Sequence, residues 1–161
     1  MKKQIFITLI LIGITIFSIN AQAQSTDKGR LSIINEYGPY FGRNTIGFTA
    51  VFVAGYSTPS DKDMFGLGVG YDVGVELTDG IPLFVNYRHS FHPDRAVSPI
   101  VNMAAGVRLN LSDPVNYSGI YATMASGFQV GMFSLTGGLF LKSLGTTELF
   151  PGLEVKCGFR L

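Results

Sequence analysis

The residues best equipped for chemistry share one run, "YRHSFHPD", Tyr87 to Asp94, which carries both histidines of the chain. An imidazole within reach of a serine hydroxyl is the start of an acyl-transfer device, with the histidine as base and the serine as nucleophile. The spacing argues against it. In an extended chain successive side chains leave opposite faces, so the adjacent His89 and Ser90 cannot meet. Ser90 and His92 share a face, but His92 precedes a proline and falls in a turn, so the run is expected to be a polar strand end. Cys157, the single cysteine, alternates with Val155 and Phe159 and reads as a small apolar wall residue, not a nucleophile or metal ligand. "GLGVG", from Gly66, could be mistaken for a phosphate loop, but it opens no helix. No catalytic residue, cofactor or metal is expected.

A different set of polar groups is more informative. In "FGLGVGYDVGVE", Phe65 to Glu76, one alternate row is apolar throughout and the other is glycine interrupted by Asp72 and Glu76. A period of two is the strand signature. A row of glycines and acids is a poor inventory for the core of a soluble sandwich, but it suits a strand with its apolar row on lipid and its small, charged row in a narrow barrel. Arg88, Arg108, Glu154, Lys156 and Arg160 likewise lie opposite the strongest apolar rows. A lumenal charge network is therefore expected from Glu36, Asp72, Glu76, Arg88, Arg108, Lys142, Glu154, Lys156 and Arg160. Folding each hairpin about its turn suggests partners. A centre at Asp79 sets Asp72 opposite Asn86 and diagonal to Arg88, a centre near Glu148 sets Lys142 opposite Glu154, and barrel closure brings Glu36 beside Lys156.

The elements that must position these groups can be read along the chain. "MKKQIFITLILIGITIFSINAQAQ" has a positive start at Lys2 and Lys3, an apolar run from Ile5 to about Ile19, and Ala21-Gln22-Ala23, an A-x-A cleavage pattern. Residues 1–23 are expected to be a signal peptide and 24–161 one domain. Without Lys2 and Lys3, ten Lys and Arg face eleven Asp and Glu, a balance that removes any case for nucleic acid. One cysteine allows no internal disulfide. Strands are expected over Leu31–Phe41, Thr45–Ser57, Phe65–Glu76, Ile81–Phe91, Ser98–Asn110, Ser118–Gln129, Phe133–Leu141 and Leu149–Leu161, bounded by turn residues. An even count puts both chain termini on one side, the periplasmic one, and leaves "GRNT", "LTDG", "LSDPVN" and "SLGTTE" as short outer loops. Tyr37, Tyr56, Tyr71, Tyr87, Tyr117 and Tyr121 are candidates for interfacial aromatic belts, with a few of them expected to point inward instead.

With the C-terminal "LEVKCGFRL", these features resemble the small eight-stranded outer-membrane β-barrel proteins, the OmpA-like and OmpX-like superfamily. The run "IPLFVNYRHSFHPDRAVSPIVNMAAGVRL" is similar to the corresponding stretch of barrel proteins of Bacteroidota. The resemblance implies an all-β, eight-stranded antiparallel up-and-down transmembrane barrel in a Gram-negative outer membrane. It also implies recognition by the barrel-assembly machinery through a terminal strand of alternating apolar residues. Leu153, Val155, Phe159 and Leu161 fit that signal, except that the last residue is Leu161 and the aromatic stands two places before it. Members of the superfamily share no single chemistry, and the hydrolytic ones use a Ser-His-acid set on the lipid-facing wall that His89 and His92 do not build. The expected protein is a monomeric integral barrel with a structural or surface role, outer-membrane lipid around it, and neither catalysis nor a large pore. Two alternatives stay open: a soluble exported lipocalin-like barrel binding a small apolar ligand, and a narrow porin-like channel, although an aqueous channel takes about 16 strands or more.

Overall fold

Alternating small and large residues produce strands that can close only on one another, and the structure, a computed structural model, describes them over residues 29–42, 45–75, 79–111, 118–144 and 148–161. The strands are β1 (Arg30–Gly42), β2 (Thr45–Ser57), β3 (Asp63–Gly74), β4 (Gly80–Ser90), β5 (Val97–Asn110), β6 (Gly119–Val130), β7 (Phe133–Leu144) and β8 (Glu148–Arg160). Each pairs antiparallel with the next, and β1 closes on β8 from Ile34↔Arg160 to Gly42↔Gly152. The result is a closed up-and-down barrel of eight strands, as the alternation predicts. The segment expected to be a signal peptide, Glu76, Tyr117 and most of the four connections expected to be outer loops lie outside the described residues.

Two expected segments are displaced. β3 begins at Asp63 and ends at Gly74, because the preceding turn closes tightly: Thr58 N–H donates to Asp63 O at 2.8 Å and Asp63 N–H to Thr58 Oγ1 at 3.2 Å. Asp61 completes this turn with φ 55°, a left-handed conformation that aspartate tolerates better than most residues. β7 runs on to Leu144, past the expected Leu141. Between β6 and β7 only Gly131 and Met132 separate the paired Val130 and Phe133. Gly131 takes φ 57°, as the first position of such a two-residue hairpin requires.

The interior is filled in layers. Ile34, Val51, Val53, Met64, Phe84, Ala104 and Tyr121 form one buried apolar cluster, with the Phe84 and Tyr121 rings 5.0 Å apart. The glycine row of β3 makes room for it. Gly68 pairs with Phe84, and a Cβ at Gly68 would fall 2.2 Å from the Phe84 ring. Gly68→Ala should therefore force the ring and its Tyr121 contact to shift, lowering the stability of the folded barrel by about 1–3 kcal/mol, read as a fall in its urea midpoint. An unchanged midpoint would show that the layer is loosely packed.

Candidate functional site: the charged lumen

Even positions of β1, β3, β4, β5, β7 and β8 and odd positions of β2 and β6 turn inward, which gathers the charged side chains of separate strands around the axis. Near the ends of the strands that the outer connections join, Asp72 faces Arg108 Nε at 3.3 Å and Lys142 Nζ at 3.1 Å, all three side chains fully buried. The lysine attracts the carboxylate as a charge without hydrogen-bond alignment, since its ammonium also stands 3.8 Å from the centre of the Tyr40 ring. That is a cation–π contact strengthened by the absence of water. Tyr40 is held in place by its own bond to Val73 O, 3.1 Å, and by an edge-on Phe140 at 5.3 Å.

A second group occupies the lumen nearer the turns. Glu36 accepts from Arg88 Nη1 at 3.1 Å and lies 3.9 Å from Lys156 Nζ. Lys156 in turn contacts Glu154 Oε1 at 2.6 Å. Amides complete the shell: Asn86 donates to Asn102 Oδ1 at 2.7 Å, Asn102 to Glu36 at 3.5 Å, and Arg88 Nη2 to Gln129 Oε1 at 3.4 Å. At the turn end Arg160 reaches Asp61 and donates to Ser57 Oγ at 2.8 Å, while Arg30 meets the same carboxylate at 3.0 Å.

Thus the structure brings Glu36, Arg88, Glu154 and Lys156 into one cluster, Asp72, Arg108 and Lys142 into another, and Arg160 to the mouth. The expected partners are corrected in two places. Asp72 pairs across the hairpin with Gly80, while Asn86 opposes Gly66 and Arg88 opposes Met64, so Asp72 and Arg88 are not neighbours. The hairpin is centred three positions earlier than Asp79, because the connection begins once β3 ends at Gly74. Lys142 opposes Phe150, and Glu154 opposes Gly138, again because the turn is centred before Glu148. Glu36 opposes Gly158, and its contact with Lys156 is diagonal. Tyr121 also differs from the belt assignment, being buried in the lumen at 1% exposure. Tyr40 and Asp61 carry contacts that sequence reasoning missed. Tyr40 shares the even row of Glu36 and was open to the parity argument, whereas Asp61 is a turn residue with no periodic signal.

Ser90 Oγ is 2.7 Å from Ser98 Oγ, and Ser98 Oγ accepts the His92 backbone N–H at 3.1 Å. His89 lies on the opposite, outer face with Asp63. Among the described residues no three His, Cys, Asp or Glu side chains converge as metal ligands. Leu153, Val155, Cys157 and Phe159 form an exposed outer row of β8, and Leu161 is held to Ile33 by two backbone hydrogen bonds of 2.8 and 3.0 Å.

No family model and no curated protein matches this sequence. The fold is similar to the crystal structure of the N-terminal β-barrel domain of Pseudomonas aeruginosa OprF, with a TM-score of 0.53 and 15% sequence identity over 83% of this chain and 100% of that one.

Proposed function

We propose that the chain is a small integral barrel of a Gram-negative outer membrane, exported by its N-terminal segment 1–23, inserted by the barrel-assembly machinery, monomeric, and structural or surface-presenting in role, without catalysis. The observation that carries this reading is the inversion of polarity. Leu67, Val85, Leu135, Leu139 and Leu153 stand exposed on the outer wall, while Asp72, Arg108 and Lys142 are fully buried. A soluble barrel that holds an apolar ligand needs the reverse. The wall also has the right height, since Phe65 to Val73 at about 3.4 Å per residue and a tilt of about 40° rises about 20 Å, close to the apolar band of outer-membrane barrels. Aromatic residues collect at its two edges, with Tyr56, Phe65, Tyr87 and Phe128 towards the turns and Phe41, Phe48 and Tyr71 towards the outer connections. Such girdles mark membrane interfaces. The fold likeness to the OprF barrel domain supports an OmpA-like architecture, and the proposal of a Bacteroidota-type barrel rests only on the resemblance of the run from Ile81 to Leu109.

Fractionation tests the proposal. The protein should be recovered with outer membranes, resist extraction by salt, and migrate differently on a denaturing gel before and after boiling. Recovery in the soluble periplasm would overturn the reading. Because aromatic rings and ion pairs fill the lumen, purified protein in planar bilayers should give no porin-sized conductance steps, and reproducible large steps would contradict the filled interior.

A further inference from the structure

Among the described strand residues the outer wall carries one acid–imidazole pair. Asp63 and His89 are direct partners across β3 and β4, and among the described strand residues they are the only carboxylate and the only imidazole turned outward. Asp63 Oδ1 accepts the Tyr87 hydroxyl at 2.7 Å and stands 2.8 Å from His89 Nδ1. Both side chains of the acid–imidazole pair are about one-third exposed, 31% and 30%. With Nδ1 turned to Asp63, the Nε2 edge of the imidazole points away from the carboxylate, and the ring is steadied by an edge-on Phe91 at 4.7 Å. A carboxylate at the edge of an apolar wall is costly unless it is hydrogen-bonded and paired, and Asp63 has Tyr87 and His89 beside it and Lys62 as its chain neighbour.

Tyr87 links this pair to a groove of about 410 Å³ whose apolar lining includes Phe65, Val85, Met103 and Ala105. Phe65 packs against Tyr87 with ring centres 4.9 Å apart. Phe65, Tyr87 and Met103 form one row across β3, β4 and β5, and Val85 and Ala105, partners in the next row away from the turns, form the floor with their smaller side chains. From the turn end inward, the wall therefore presents an acid beside an imidazole, then a tyrosine ring, then an apolar furrow. That order is the order of an amphiphile.

We propose that this is a binding site for a phospholipid bearing a primary ammonium headgroup. The ammonium donates to Asp63, the phosphate lies against His89 Nε2, and the upper part of one acyl chain fills the furrow over Val85 and Ala105. The inference rests on the membrane reading above, which puts the turn end in the periplasmic leaflet. Charge complementarity selects the headgroup, since a primary ammonium gives charge-assisted N–H bonds to a carboxylate and a quaternary ammonium has no N–H to give.

The test uses the full mature barrel in nanodiscs of phosphatidylethanolamine and phosphatidylcholine in equal parts, released into the gas phase so that retained lipids are counted by mass. Wild type should retain phosphatidylethanolamine over phosphatidylcholine by about tenfold, the ratio that one charge-assisted hydrogen bond supports. Asp63→Asn should lose the preference while still retaining lipid. Ala105→Phe, an outward change that fills the furrow, should lower retention of both lipids. Gel mobility before and after boiling, taken on the same samples, separates a folded variant from a failed one. Equal retention of the two lipids by a folded, inserted wild type overturns the site and leaves the membrane reading standing. A second barrel copy covering the furrow in place of lipid also overturns it. A barrel that stays out of the discs overturns both.

Discussion

Asp72→Leu should be the most damaging single substitution in the lumen, lowering the stability of the detergent-refolded barrel by about 3–5 kcal/mol, the cost typical of removing one partner from a buried ion pair. The expectation belongs at the upper end of that range because one carboxylate faces two cations, Arg108 at 3.3 Å and Lys142 at 3.1 Å, with no solvent to screen them. Leucine would leave two like charges near each other where field lines pass through protein and not water. Tyr40 can hold the lysine by its ring, but a cation–π contact replaces only part of a carboxylate's attraction. The compensating change is Lys142→Met, which keeps a flexible apolar stem over the ring while deleting one of the two charges. In the Asp72→Leu background it should recover a measurable share of the loss. Urea titration followed by the unboiled gel mobility gives both values. An Asp72→Leu barrel with the wild-type midpoint would mean that the lumen is wet enough to solvate these groups, and the filled-interior account would then fail.

What was legible beforehand follows from one property of strands. Side-chain direction repeats every two residues, so the face of Asp72, Arg88, Lys142 or Glu154 could be read from its neighbours without knowing any partner. The misplaced hairpin centres moved partners by even numbers of positions, and an even slip keeps every side chain on its face. That is why Asp72, Arg88, Lys142 and Glu154 share the inward face in the structure while Asp72 and Arg88 are not neighbours. A second reason lies in the closed shape. Asp72, Arg108, Lys142 and Tyr40 come from β3, β5, β7 and β1, strands that are never hydrogen-bonded to one another, so their side chains meet only through the lumen. Hairpin folding can propose cross-strand neighbours but not these contacts between non-adjacent strands. Asp61 was illegible for a third reason, since its reach to Arg160 depends on a left-handed turn conformation that no hydrophobic period reports.

The register has a consequence for Arg88 that separates the two lumenal clusters. Arg88→Leu removes the guanidinium that holds Glu36 Oε1 at 3.1 Å, leaving Glu36 with Lys156 at 3.9 Å and an amide of Asn102 at 3.5 Å. Lys156 is already engaged by Glu154 at 2.6 Å, so it cannot fully replace the lost partner, and a fall of about 3 kcal/mol is expected. Glu36→Leu in the Arg88→Leu background removes the stranded carboxylate and should restore part of that fall. A coupling between positions 36 and 88 of about 0.5–3 kcal/mol is expected, the range for residues in direct contact. Asp72→Asn in the same background should instead add its own cost, independent to within about 0.5 kcal/mol, because Asp72 and Arg88 share no partner. The two cycles are measured side by side on refolded barrels by urea midpoints. Strong coupling of Arg88 to Asp72 together with none to Glu36 would place β4 in a different register against β3, and the division of the lumen into two clusters would be wrong.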